Sequence, residues 1–152
     1  MGEWAFLGPS ISRLSCYRQL LSRAHNGETV LEVGACFGKD LRLFASNGIA
    51  PSQLFATDVN RELWDLGFEL FRDKHKLKDQ FVPGDFLDPL IVVDLQRLQG
   101  HAGGIDMFIL CQFLHPFSWD RQVQAGLNIV RLSKPGSIVV GYQRGLDHQV
   151  EP

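Results

Sequence analysis

Twelve consecutive residues, Thr29-Val30-Leu31-Glu32-Val33-Gly34-Ala35-Cys36-Phe37-Gly38-Lys39-Asp40, constrain this chain more than any other stretch. A short apolar run enters a glycine-bearing turn and leaves it as a helix. Gly34 lets the backbone turn sharply and approach a ligand, and Gly38 lets the following helix pack closely against the strand end. Such a turn marks a nucleotide-type cofactor site and makes this strand the first of a sheet alternating with helices.

The alternation continues along the chain. Ser10 to about His25 reads as an amphipathic entry helix, with Ile11, Leu14, Tyr17, Leu21 and Ala24 at spacings of three and four, Ser10 as N-cap and Asn26-Gly27 as stop. Strands are predicted over 29–33, 54–58, 80–84, 105–111 and 137–142. Between them lie a helix carrying Leu41, Phe44 and Ala45, and one over 61–73 with Leu63, Leu66, Leu70 and Phe71 on one face. A short helix or loop carrying Ile91, Leu95 and Leu98 follows, and then a helix capped by Ser118 with Val123, Leu127 and Val130. Residues 48–53, 100–104 and 134–136 read as connections. About five strands alternating with helices predict a doubly wound, Rossmann-like α/β fold with a mostly parallel sheet and right-handed crossovers. With 152 residues, 45% of them hydrophobic, the chain reads as a single domain, 1–27 helical and 28–152 the α/β core.

Composition narrows the function classes. A net charge of -2 offers no basic excess for nucleic acid. Cys16, Cys36 and Cys111 are odd in number and widely spaced, with no CxxC pair, so no metal site is predicted and a reducing, cytoplasmic setting is expected. No targeting signal is read at the N-terminus, and no apolar run approaches the ~20 residues that span a bilayer.

In doubly wound sheets ligands bind beyond the carboxyl ends of the strands, where strand order reverses. Asp58 ends the second strand about 20 residues after Gly38, where a carboxylate accepts bonds from ribose hydroxyls, with Val59 beside it. Helix capping is the alternative role for Asp58. The turn lacks the G-x-G-x-x-G pattern by which dinucleotide enzymes hold pyrophosphate.

The run Glu32-x-Gly34-x-Cys36-x-Gly38 instead resembles the acidic-x-Gly-x-Gly-x-Gly loop of S-adenosylmethionine-dependent methyltransferases, with Cys36 where the middle glycine usually stands. The resemblance places Glu32, Gly34, Ala35, Cys36 and Gly38 around the cofactor. A carboxylate at Glu32 would repel pyrophosphate and favour a cation; its bland alternative is a hydrogen-bond acceptor within the fold. Val82-Pro83-Gly84-Asp85-Phe86 resembles the segment in which an acid meets the adenine amino group and its neighbour packs on the ring, roles that fall to Asp85 and Phe86. Phe86 is otherwise plain core. The segment 104–117 resembles the strand end beside the transferred methyl, which puts Cys111, Gln112 and Phe113 at the cofactor and His115 near the acceptor. His115 is the one candidate general base, against a structural role in the pocket wall.

Stretches 4–12, 33–42, 66–73, 113–120 and 134–141 together resemble a narrower group, the fungal methyltransferases of meroterpenoid and related secondary-metabolite pathways. That resemblance implies O-methylation of an apolar polyketide- or terpene-derived acceptor, with Trp4, Phe6, Phe113, Phe117 and Trp119 as candidate walls of its pocket or as core. Members usually continue past the fifth strand into a helix and an antiparallel strand pair, which this chain is expected to lack. The fifth strand would then be a bare edge open to a homodimer. The rival reading is a shortened, catalytically silent chain that binds cofactor or a protein partner. A nicotinamide-dependent reductase stands third, opposed by the missing glycine pattern and by Glu32.

Overall fold

The computed structural model describes residues 11–98 and 104–143. The predicted Ser10 cap, the aromatics Trp4 and Phe6, and most of the 100–104 connection fall outside them.

Five strands form one all-parallel sheet in the order β3-β2-β1-β4-β5: β1 (Val30–Val33), β2 (Leu54–Asp58), β3 (Phe81–Pro83), β4 (Ile105–Cys111) and β5 (Ser133–Tyr142). Strand order reverses between β1 and β4, where Val30 pairs with Met107 and Glu32 with Ile109. Alternate residues face opposite sides of a strand, and the core divides accordingly. Val30, Leu54, Ala56, Met107 and Ile109 pack with Leu20, Leu41, Phe44 and Trp64, which come from α1 (Tyr17–His25), α2 (Lys39–Ser46) and α3 (Arg61–Phe71). Leu31, Phe55, Phe108 and Leu110 pack on the other face with Ile91, Leu95, Ala125 and Leu132. These last four lie on α5 (Ile91–Leu98) and α6 (Trp119–Leu132). A single turn, α4 (Lys74–Leu77), leads into β3. The doubly wound α/β expectation is met.

Four local expectations are corrected. The entry helix is broken: a 3-10 turn over Ile11–Arg13 precedes α1. The Ile11 amide donates to Asp40 Oδ1 at 2.9 Å, which draws Ile11 into the core and away from the axis of α1. Helix α3 buries Trp64, Gly67 and Phe68, while Leu66 and Leu70 face outward and Phe71 is partly exposed, with its ring against Arg42. Trp64 stacks on Phe81 at 4.9 Å, and that contact with β3 sets the rotation of the helix. Helix α6 buries Ala125, Asn128 and Leu132 and leaves Val123, Leu127 and Val130 exposed. Its rotation is set by Asn128, whose amide donates to the Phe86 carbonyl at 2.8 Å. Residues 134–136 belong to β5, as an irregularity between the pairs Ile105–Ser133 and Met107–Ile138.

Among the described residues β5 is an edge strand, and no helix is long and apolar enough to cross a membrane.

Candidate functional site

The turn after β1 is held by a set of backbone bonds. The Gly34 and Ala35 amides both donate to the Thr57 carbonyl, at 3.0 and 3.1 Å, and the Gly38 amide donates to the Ala35 carbonyl at 2.6 Å. Gly34, Cys36 and Gly38 have φ of 70, 50 and 63°, the left-handed region that disfavours residues with a Cβ. At Gly34 a Cβ would also stand 2.7 Å from the Phe113 ring. At Gly38 it would stand 2.3 Å from Trp64. Cys36 tolerates its conformation because its amide donates to Asp58 Oδ2 at 2.8 Å.

Asp58 is thus an organiser of the turn. Its Oδ1 accepts from the Asn60 amide at 2.9 Å, while Asn60, not Asp58, caps α3 through Leu63. Each carboxylate oxygen keeps a second lone-pair direction for a ligand.

A crevice of about 260 Å³ opens beyond the strand ends at the switch point. Gly34, Asp58 and Val59 line one side, Gln112 and Phe113 the other, and Gly84, Asp85 and Phe86 the end nearest β3. Seven of the predicted site residues therefore come together: Gly34, Asp58, Val59, Asp85, Phe86, Gln112 and Phe113. Phe113 meets Phe86 and Phe117 edge to face, with centroids 5.9 and 5.2 Å apart. Its ring fills the space above Gly34. The Asp85 carboxylate accepts from the Leu87 amide at 2.9 Å and lies 3.9 Å from Arg121. Phe86 is 2% exposed, so it is core and crevice wall at once.

Two polar atoms on lining residues, Thr57 Oγ1 and Gln112 Oε1, are buried without a hydrogen-bond partner. Buried orphans are uncommon and mark places where a missing partner fits. Gln112 also adopts φ 60°, a second left-handed non-glycine residue at the switch point. Thr57, Gly84 and Pro116 join the lining without having been singled out from sequence. The signal for Thr57 was present, since it immediately precedes the acid at a strand end.

The other predicted residues take different places. Glu32 is 5% exposed and accepts from the Leu41 amide at 2.9 Å, the first turn of α2. Burial, reinforced by the nearby Asp40 charge, pushes its pKa up to about 8, against the opposing pull of that amide, Arg42 and Lys39. Both burial and the Asp40 charge favour the neutral acid at this position. Ala35 is buried in the core, and Gly38 is the N-cap residue of α2. Burial raises the pKa of the Cys36 thiol and pushes that of Cys111 up to about 12. Cys111 packs against the core cluster shared with α1 and α2. The His115 side chain is exposed and outside the crevice lining, its amide held by Gln143 Oε1 at 3.2 Å. Trp119 is exposed on α6 and does not join the wall, whereas Phe113 and Phe117 do. The described residues contain no cluster suited to a metal ion, and all three cysteines are free thiols.

No family model matches the chain. It is 36% identical over 148 residues to the O-methyltransferase atr3 of Stereocaulon alpinum, an alignment covering 95% of this chain and 42% of that protein. It is 34% identical over 143 residues to the methyltransferase prhM of Penicillium brasilianum, covering 92% of this chain and 50% of that one. The chain thus spans about half the length of the curated relatives it matches. Among solved structures, an O-methyltransferase family protein from Burkholderia thailandensis superposes with a TM-score of 0.58 at 19% identity, over 86% of this chain and 35% of that one. The resemblance to fungal methyltransferases read from the motifs is borne out, and the fold is that of α/β methyltransferases.

Proposed function

We propose that this chain is the cofactor-binding part of an S-adenosylmethionine-dependent methyltransferase acting on a small secondary metabolite in the cytoplasm. The observation that carries the reading is the chemistry of the crevice. Two acids, Asp58 and Asp85, stand at successive strand ends beside an aromatic wall, and the described lining residues include no lysine or arginine. A pyrophosphate would meet repulsion there, while a cationic nucleoside would not. The relatives named as methyltransferases support the same reading.

In this proposal Asp58 accepts from the ribose, Asp85 and Phe86 bracket the adenine, and Gly34 with Gln112 borders the amino-acid end. Val59 and Phe113 close the sides. Glu32, Ala35, Cys36 and Gly38 support the turn from beneath. The bound cofactor supplies an activated methyl with its own leaving group. What remains for the chain is to align an oxygen nucleophile and exclude water, the task of the apolar Phe86, Phe113 and Phe117 wall. A carboxylate acceptor arrives ionised and needs no base, which agrees with the outward place of His115.

Calorimetric titration with S-adenosylmethionine and S-adenosylhomocysteine tests this. Binding near micromolar, about −8 kcal/mol, is expected, together with no measurable binding of NAD. A cooperatively folded chain that binds neither methyl-donor form defeats the reading.

One observation favours a second reading, a chain that binds cofactor without turnover: the titratable side chains of the described lining are Asp58 and Asp85, both of which accept from backbone amides and are assigned above to the ribose and the adenine. Methyl transfer to an apolar carboxylic acid, followed by mass spectrometry, separates the two. Self-association through the open edge of β5 belongs to either reading, and sedimentation velocity reads it directly.

A further inference from the structure

Behind the glycine turn, outside the crevice lining, lies a buried cation. Arg42 of α2 is 6% exposed. Its Nε and Nη2 donate to the Asp73 carboxylate at 2.7 and 3.1 Å, a forked pair reaching just past the end of α3. Three aromatic rings of α3 surround the guanidinium: Trp64, Phe71 and Phe68, with centroids 4.8, 5.0 and 5.3 Å away. The third nitrogen, Nη1, donates to the carbonyl of Phe37, which belongs to the glycine turn.

That last bond reaches beyond the joining of α2 to α3. The Phe37–Gly38 peptide is gripped at both ends, its oxygen by Arg42 and its N–H by the Ala35 carbonyl. One residue earlier, Cys36 holds a left-handed conformation with its amide on Asp58. The turn is therefore fixed from two sides, by Asp58 at the crevice and by Arg42 from behind. Gly67 completes the arrangement, since a Cβ there would stand 2.8 Å from the same Phe37 carbonyl.

We propose that Arg42 and Asp73 are positioning residues for the cofactor: through the Phe37 carbonyl they hold the 34–38 turn in the shape that presents Asp58 and Gly34 to the crevice. The proposal deepens the methyltransferase reading and rests on it for the identity of the ligand. A lysine at Arg42 has a charge for Asp73 but no planar fork, so it cannot hold the carboxylate and the carbonyl together. Removing one partner alone strands a buried charge, whereas replacing both with apolar residues of similar volume is often neutral for folding.

The decisive variant is therefore the double substitution Arg42→Met with Asp73→Leu, compared with Arg42→Lys and with Leu127→Ser on the exposed face of α6. Two readouts are taken: S-adenosylhomocysteine affinity by calorimetry, and amide hydrogen exchange of residues 34–38 in the absence of ligand. The double variant should melt cooperatively, exchange faster across the turn, and bind about 10–100-fold more weakly, the scale seen when outer partners that orient ligand-binding groups are lost. Arg42→Lys should fall between it and the wild type, and Leu127→Ser should leave both readouts unchanged. A folded double variant with wild-type affinity and wild-type exchange overturns the proposal. If the double variant does not fold, Arg42→Lys decides by the same two criteria. If the wild-type chain binds no S-adenosylhomocysteine, the methyltransferase reading fails separately, and exchange alone decides whether the pair holds the turn.

Discussion

Around β1, β2 and β3 the largest side chains of α2 and α3 turn inward, though Leu66 and Leu70 stay outside: Trp64 is stacked on Phe81, Phe44 is fully buried, and Arg42 is enclosed by three rings. Around β4 and β5 the corresponding helix turns most of its large side chains outward. Trp119, Val123, Leu127 and Val130 form a stripe along α6 that is 47 to 76% exposed, and Ala125 and Asn128 are buried with a single large apolar residue, Leu132. Both helices carry apolar residues at helical spacing. The difference shows that periodicity identifies a helix without saying which neighbour its apolar face will meet. The side chains that bond the glycine turn, Asp58 and Arg42, both lie on the inward-packed flank.

The largest expected effect breaks that comparison directly. Trp64→Ala should cost about 3–5 kcal/mol in urea unfolding, because it empties the contact between α3, β3 and Arg42. A variant as stable as the wild type would mean this flank is no better packed than the other.

Asp58→Ala comes next. It removes both a ligand acceptor and the partner of the Cys36 amide, and should weaken cofactor binding by about 1.5–3 kcal/mol, roughly 10–100-fold. Unchanged affinity would take Asp58 out of the site.

Two pH effects sharpen the contrast, one on each flank. The folded-state pKa of Glu32 is raised from 4.5 to about 8, so its contribution to folding is present below about pH 4.5 and is lost as pH climbs through about 8. Glu32→Gln keeps an acceptor for the Leu41 amide and should become progressively more stable than the wild type across that window, followed by melting temperature. Parallel melting curves from pH 5 to 9 would show that Glu32 ionises freely. Asp106, at the start of β4, behaves in the opposite sense. Burial opposes its charge, but Lys134 at 2.8 Å and the Thr29 amide and hydroxyl outweigh burial and hold its pKa below the ordinary 3.8. Its contribution is present above about pH 3.8 and is lost as pH falls through the lower folded value. Asp106→Asn should flatten the acid limb of the stability profile, and an unaltered limb would assign acid sensitivity elsewhere.

The smallest effect completes the comparison. Leu127→Ser and Val130→Thr on the outer face of α6 should each change stability by no more than about 0.5 kcal/mol. Losses near those of Trp64→Ala would show that the stripe is covered in solution.

Much of the site was legible because its parts are local. The strand–glycine–helix run and the acids Asp58 and Asp85 follow from short segments, and the switch-point rule then gathers them with Gln112 and Phe113 into one crevice. Glu32 was legible as a position and not as a role, since its acceptance of the Leu41 amide depends on how α2 docks over β1. Arg42 gave no signal at all. Its partner Asp73 lies 31 residues away in the connection between α3 and α4, and nothing in either neighbourhood announces the pairing.

By itself, the sequence determined the alternation of strands and helices, the left-handed turn that only a glycine-rich run accommodates, and the acids at strand ends, all consequences of backbone sterics and short-range periodicity. The tertiary structure alone decided which faces of α3 and α6 are buried, that Glu32 is buried and accepts from the Leu41 amide of α2, and that Arg42 bonds the Phe37 carbonyl from behind the turn. Those outcomes depend on desolvation and on contacts between residues far apart in the chain, whose energies exist only once the elements have packed.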